Sequence, residues 1–248
     1  MTEPMAIVIT GGDGLVAGVL RARLSNRFAA RYLSRSDADI TDPAALVRSF
    51  AGADAIVHLA ASADVSATWD ALLGPNVVGA YNVYEAALQA GVPRVVFASS
   101  NHAVGMYLHD DDRFADPDRP IEVGTDAPAR PDSLYGTSKA WGEALGHHYA
   151  ERRGLTVVCL RIGWVTADDD PPSPDALDGE PSRIAGRGPG MWLSHRDCVS
   201  LVEAALTVNI GFAIVHGVSD NTGRWLGLDA GRRLLGWMPR DGLRDWRK

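Results

Sequence analysis

Short unbroken apolar runs alternate with amphipathic stretches along most of the chain. Met5–Thr10 (MAIVIT), Ala55–Ala61 (AIVHLAA), Arg94–Ala98 (RVVFA) and Leu155–Ile162 (LTVVCLRI) have the length and continuous hydrophobicity of strands buried on both faces of a parallel sheet. Arg31–Ser34 and Phe212–Val218 read as two further strands. Between them the apolar positions take helical spacing. One helix passes through Leu20 and Leu24, and another starts at Asp42 as N-cap with Pro43 in the first turn. Asn76–Ala90 is closed by Gly91, and Tyr135–Arg153 is stopped by Gly154. Ser194–Leu206 and Leu228–Leu235 follow. Strand–helix alternation of this kind predicts an α/β fold, a Rossmann-type doubly wound parallel sheet. Residues 103–134, 163–192 and 219–248 interrupt the alternation with Pro-, Asp- and Gly-rich sequence. They are expected to build a small substrate lobe over a cofactor part made mainly from residues 1–162. No repeat or interdomain linker divides the chain, so residues 1–248 are read as one fold.

Composition narrows the partners. The 248 residues carry 31 acids against 24 Lys plus Arg, a net charge of −7 with no basic run, which argues against nucleic acid and anionic membrane as partners. Cys159 and Cys198 both sit in apolar contexts and read as buried packing residues of a reducing compartment. The start of the chain lacks a basic segment and a long apolar run, and no stretch reaches membrane-spanning length, so a cytoplasmic location is expected.

Candidate chemistry sits where runs meet turns. Thr10–Gly18 (TGGDGLVAG) joins the first strand to the first helix. Gly11 suits a tight turn, Gly14 lets backbone approach a phosphate, and Ala17 or Gly18 permits close helix–strand packing, as a dinucleotide pyrophosphate requires. At the end of the second strand stands Ser34-Arg35 in place of the usual ribose-binding acid. Arg35 could pair with a 2′-phosphate and tips the choice between NAD and NADP slightly towards NADP, while Asp37 stays open as a ribose acceptor. His58 lies inside an apolar run and reads as a core histidine. Asp110-Asp111-Asp112 reads as a solvated loop, with no metal site expected. Ser99-Ser100-Asn101-His102 follow a strand and can meet a substrate carbonyl or alcohol. Tyr135 and Lys139 stand one helical turn apart, so an ammonium can draw the phenol pKa down towards the range of a general base.

Gly11-x-x-Gly14, the HLAA strand, Ser99-Ser100 and Tyr135-x-x-x-Lys139, in this order, resemble the extended short-chain dehydrogenase/reductases of the NAD-dependent epimerase/dehydratase family over nearly the whole chain. SSNHAVG at 99–105, ARPDSLYGTSK at 129–139, LRIG at 160–163 and WLSHRDCVSLVEA at 192–204 are similar to uronate dehydrogenases. Those enzymes oxidise glucuronate or galacturonate at the anomeric carbon to an aldarolactone. The resemblance implies that Tyr135 is the base, that Lys139 lowers its pKa and binds the nicotinamide ribose, and that Ser100 holds the reacting oxygen. It implies cofactor contacts from Gly11, Gly14, Leu15, Val16, Arg35, Asp39 and Ile40. Leu59, Ala60, Ala61, Asn76, Tyr135 and Lys139 extend that set. Substrate contacts are implied for Ser62, Asn101, His102, Trp164 and Arg187, the last gripping the uronate carboxylate.

This sequence departs from the family pattern in three places. Trp164 replaces a substrate-contacting serine, Arg35 replaces the ribose-binding acid, and the 166–186 segment is longer, so Arg183 could take the role of Arg187. The alternatives are a nucleotide-sugar epimerase or reductase, and a non-catalytic nicotinamide redox sensor. A homodimer is expected through the Asn76–Ala90 and Tyr135–Arg153 helices, with Ala140, Gly142, Ala144 and Gly146 permitting close approach.

Overall fold

The structure is a computed structural model that describes residues 3–114, 116, 121–172 and 186–244. Arg183 therefore lies outside the described residues. Six strands form one parallel sheet: β1 (Met5–Thr10), β2 (Phe28–Leu33), β3 (Ala55–His58), β4 (Arg94–Ser100), β5 (Thr156–Ile162) and β6 (Phe212–Gly217). Their order across the sheet is β2-β1-β3-β4-β5-β6. The strands stay parallel, but the order of winding reverses between β1 and β3, and an open α/β sheet has its ligand crevice at such a switch point, beyond the carboxyl ends of the strands. Seven helices flank the sheet among the described residues: α1 (Leu15–Arg23), α2 (Pro43–Phe50), α3 (Trp69–Leu72), α4 (Gly79–Gln89), α5 (Met106–Asp110), α6 (Leu134–Arg153) and α7 (His195–Thr207).

Several boundaries differ from the sequence reading, each for a physical reason. β2 begins at Phe28, three residues before the expected Arg31, because Phe28 pairs with Met5 of β1. As an edge strand it leaves Ala29 and Arg31 exposed, so it lacks the unbroken apolar run of the interior strands. β3 stops at His58, and Leu59–Ala61 leave the sheet. β4 runs on to Ser100, since Ser99 and Ser100 pair with Arg161 and Ile162. The helix expected from Asn76 starts earlier, at Trp69, and passes through a wide π-helical turn, Leu73–Val78, before α4. Pro75 lies in that turn and has no N–H to give a regular helix.

The sheet separates two apolar layers. Ile7, Ile9, Leu20, Val158, Leu201 and Val215 belong to one, and Val8, Leu46, Phe50, Tyr84, Phe97 and Tyr149 to the other. α6 lies close against the second face because Gly142 and Gly146 lack a side chain there. A Cβ on Gly142 would stand 2.2 Å from the Phe97 ring, and one on Gly146 2.7 Å from the Tyr84 hydroxyl. These glycines seat the helix on its own sheet, which corrects their assignment to the approach of a second copy. The outward positions of α6 carry Leu134 and Trp141, both exposed. At the foot of the sheet Arg94 donates to the Ala205 and Val208 carbonyls at 2.9 and 2.7 Å, satisfying the end of α7.

The described parts of the three excursions are joined to one another. Val123 bridges Leu226, and Trp164 bridges Trp192. Asn221 Nδ2 donates to the Gly190 and Trp192 carbonyls at 3.1 and 2.7 Å. Val123, Met191, Trp225 and Leu226 also pack in the first apolar layer, so the excursions share the core of the sheet. Both cysteines are free and buried. Among the described residues no helix is long and apolar enough to cross a membrane, and no group of His, Cys, Asp or Glu could hold a metal ion. Asp110 pairs instead with Arg130, and Asp111 with Arg113.

Candidate active site

A cleft of about 640 Å³ opens at the carboxyl edge between β1, β2 and β3. Gly11, Asp13 and Gly14 form its floor, and Leu59, Ala60, Ala61 and Ser62 one wall. Ser34, Arg35, Ala38, Asp39, Ile40 and Thr41 line the far end, with Ala71 and Pro75 above. Gly11 is required twice over: its φ is +72°, and a Cβ would lie 2.7 Å from the Ala60 nitrogen. Gly14, in the floor, caps α1 without a side-chain hydrogen bond, so no side chain satisfies the backbone N–H groups of the first turn. Ala17 is fully buried in the apolar layer beside the sheet, while a Cβ on Gly18 would meet nothing within 4 Å, so close packing does not require glycine there. Glycine floor, open helix start and small-residue wall fit a dinucleotide.

Arg35 and Asp39 meet at the far end. Arg35 Nε donates to Asp39 Oδ2 at 3.0 Å while its side chain stays 88% exposed, free to turn towards a ribose phosphate. The Thr41 N–H and hydroxyl, then Arg35, hold the Asp39 carboxyl down to about 2. Asp37, the other ribose candidate, accepts from the Ser34 N–H and hydroxyl at 2.8 and 2.6 Å and is not part of the lining. Arg35→Asp is expected to shift the ratio of kcat/KM for NADP over NAD by about 10- to 100-fold towards NAD, the worth of one charge-assisted phosphate contact. Steady-state kinetics with both cofactors checks this; an unchanged ratio removes Arg35 from phosphate recognition.

Some expected cofactor contacts are placed elsewhere. Asn76 is buried and spends its side chain on Ser62 N, Ser62 O and Ser138 Oγ, at 2.7, 2.9 and 3.0 Å. It thereby fixes Ser62, expected as a substrate contact, in the wall of the cleft. Leu15 is exposed, Val16 is half-buried, and neither lines the cleft. Ser34, Ala38, Thr41, Ala71 and Pro75 line it without having been anticipated; their short side chains carry no pattern of their own.

The reactive groups converge from β4 and α6. Ser133 caps α6 by accepting from the Gly136 N–H at 3.0 Å, which places Tyr135 in the first turn and Lys139 one turn on. Both are buried against the end of β4. Lys139 Nζ donates to the Ala98 carbonyl at 2.7 Å and lies over the Phe97 and Tyr135 rings at 5.2 and 5.6 Å. Burial pushes the Tyr135 phenol above its ordinary value, and its hydrogen bond with Ser100 opposes the rise. The expected lowering by Lys139 is therefore not what the structure shows, because that ammonium is directed at a carbonyl. Burial also draws Lys139 down to about 8. Below that pH the folded chain holds a buried ammonium, and the unfolded chain keeps its proton up to about 10.5. The Lys139 contribution to stability should consequently rise between about pH 8 and 10.5, by an amount on the order of 3 kcal/mol, against the opposite contribution of the buried Cys159 and Cys198 thiols, which burial raises. Urea titrations across that range should show wild type gaining stability relative to Lys139→Met, in which the thiol contribution is the same.

Ser100 ends β4 and accepts from the His102 N–H at 3.3 Å. Asn101 is buried and donates to Met191 Sδ at 3.3 Å, which brings the 187–191 turn against the strand end. Arg187, at the start of that turn, is fully buried and donates to the Asp116 carbonyl at 2.5 Å. Trp164 is half-buried, and its N–H donates to the Met191 carbonyl at 2.7 Å. The preceding Gly163 must lack a side chain, since a Cβ would stand 2.1 Å from that same carbonyl oxygen. His58 is a core histidine: its Nδ1 lies 2.8 Å from Thr10 Oγ1, and burial, then Lys139, lowers it to about 3.

A cleft that fits a dinucleotide, with a serine, a tyrosine and a buried lysine on β4 and α6 of the same sheet, defines a class, the nicotinamide-dependent oxidoreductases. The chain belongs to the NAD dependent epimerase/dehydratase family, whose sequence profile matches residues 7–175. It is 42% identical to the L-arabinose 1-dehydrogenase (NAD(P)(+)) of Haloferax volcanii, over 82% of this chain and 80% of that one. It is 35% identical to the NAD-dependent glucose-6-phosphate dehydrogenase of the same organism, over 97% and 94% of the two chains. The crystal structure of uronate dehydrogenase from Agrobacterium tumefaciens superposes with a TM-score of 0.80 at 32% identity, covering 99% of this chain and 88% of that one. The chain is an NAD(P)-dependent dehydrogenase similar to enzymes that oxidise sugars.

Proposed function

We propose that this enzyme oxidises a free sugar or sugar acid at its anomeric carbon, converting the cyclic hemiacetal to a lactone with NAD or NADP. The observation that carries the reading is the meeting of Ser100 and Tyr135 at the end of β4, with Lys139 beneath them. A nicotinamide dinucleotide held along Gly11, Gly14 and Ala60 would supply the acceptor for the hydride of the anomeric carbon. Tyr135 accepts the proton of the anomeric hydroxyl, and Ser100 hydrogen-bonds the oxygen as it becomes a carbonyl. Lys139 supplies positive charge close to the tyrosine ring and, by its hold on Ala98, fixes the helix to the strand that carries Ser100.

Within that class we take a uronate, glucuronate or galacturonate, as the first candidate. Support comes from Arg187, a buried guanidinium on the turn that leans on Asn101. A neutral pentose is the second reading. The 42% identity to an L-arabinose 1-dehydrogenase favours it, and so does the apolar bulk of Trp164.

The deciding experiment follows the appearance of reduced nicotinamide with glucuronate, galacturonate, L-arabinose, glucose, galactose and glucose 6-phosphate, each with NAD and with NADP. Turnover of uronates, with KM raised for them more than for neutral sugars in Arg187→Ala, supports the first candidate. Turnover of neutral sugars alone, indifferent to Arg187→Ala, supports the second. Absence of turnover on the whole panel removes the proposal.

A further inference from the structure

The segments SSNHAVG and ARPDSLYGTSK lie side by side, and the pair they form is not explained by the proton transfer at Tyr135. Three backbone bonds zip them together: Arg130 N to Ala103 O at 3.0 Å, Met106 N to Arg130 O at 2.9 Å and Asp132 N to His102 O at 3.3 Å. Two glycines make room for this seam. A Cβ on Gly105 would lie 1.7 Å from Asp132 Oδ2, and one on Gly136 would lie 2.2 Å from the His102 carbonyl oxygen. At its centre Asp132, its side chain 9% exposed, places both carboxylate oxygens on His102 Nδ1, at 3.0 and 2.8 Å. The Ser133 hydroxyl donates to Asp132 Oδ1 at 3.0 Å, and His109 Nε2 is 4.0 Å from Oδ2. The His102 ring stands T-shaped to Tyr135, with centroids 5.8 Å apart.

We propose that Asp132 is a positioning residue for the sugar: it locks the His102 ring beside Tyr135 with the proton on Nδ1, so that Nε2 is offered as an acceptor to a substrate hydroxyl. A carboxylate only accepts hydrogen bonds, so the nitrogen facing it must carry the hydrogen. In the neutral ring Nε2 then holds a lone pair, and no described residue hydrogen-bonds it. A sugar hydroxyl next to the reacting carbon is a donor of the right chemistry. The site therefore selects polyols that carry such a donor over deoxy analogues, whatever their charge. This inference rests on the sugar-oxidation reading above and names a determinant of that same site.

A double-mutant cycle tests it, with kcat and KM for the best sugar of the panel and the dissociation constant of NADH measured on wild type, Asp132→Ala, His102→Ala and the double variant. Each single change should raise the sugar KM about tenfold and leave NADH affinity unchanged, and the double variant should be no worse than His102→Ala. Multiplying effects, or equal loss of NADH binding in Asp132→Ala, would overturn the proposal. A wild-type sugar KM in His102→Ala removes the contact between His102 and the sugar, and with it this role. A silent Asp132→Ala beside an impaired His102→Ala removes the positioning role alone. Nitrogen-15 NMR of labelled histidine reads the tautomer without turnover, with His102→Ala giving the assignment. Neutral His102 should be protonated on Nδ1 in wild type and on Nε2 in the isosteric Asp132→Asn. Protonation on Nε2 in wild type would sink the idea.

Discussion

Tyr135→Phe is expected to lower kcat for sugar oxidation by about 10²- to 10⁴-fold, with NADH affinity changed less than about twofold. The phenylalanine keeps the ring that packs against His102 and lies under Lys139, so the fold around it persists. Only the hydroxyl is lost, and with it the proposed acceptor of the substrate proton and the partner of Ser100. Ser100→Ala should cost less, because it removes one hydrogen bond to the reacting oxygen and leaves the base in place. Stopped-flow measurement of the first turnover separates this loss from slow product release. A Tyr135→Phe variant within about tenfold of wild type would mean that another group takes the proton.

Glu143→Ala carries the largest expected change in stability. Glu143 follows Lys139 by one turn on the buried face of α6, and its carboxylate receives Arg161 Nε and Nη2 of β5, both at 2.8 Å. Ser99 Oγ of β4 donates to the same carboxylate at 2.5 Å. Arg161 is 2% exposed, so removing the carboxylate leaves its charge in the core without a counter-ion. Breaking such a pair from one side costs about 3–5 kcal/mol, which in a chain of this size lowers Tm by roughly 6–20 °C. Glu143→Gln keeps the shape and one acceptor and should lose less. Calorimetry distinguishes the two, and equal Tm values for both variants would mean that the charge itself is not what matters. The pair also ties the strand that carries Ser100 to the helix that carries Tyr135, so activity should fall at temperatures well below the transition.

Those two residues illustrate what the sequence makes legible. Tyr135 and Lys139 declare themselves by helical spacing, Gly11 and Gly14 by their place between a strand and a helix, and the interior strands by unbroken apolar runs. The start of β2 is hidden because an edge strand is covered at alternate positions only, and so is the wide turn before α4, because no periodicity marks a π-helical turn. Glu143 looks like an ordinary helix acid until Arg161, eighteen positions on, is brought to it by the β4–β5 register. Asp132 is masked in the same way, since its meaning depends on His102, thirty positions earlier. Local pattern reports the backbone and nearest turns. Contacts between distant side chains need the fold. Asn76 shows the converse: a polar residue at the right place in the order, whose amide is consumed in holding a wall.

The cofactor cleft is floored and walled chiefly by glycines, alanines and main chain, while the candidate sugar contacts Asn101, His102, Trp164 and Arg187 are large side chains borne on turns. A substitution at the first set collides with backbone, as Gly11 against Ala60 makes plain. A substitution at the second remodels a pocket and leaves the dinucleotide seat untouched. Selection can therefore retune what is oxidised while inheriting how it is oxidised.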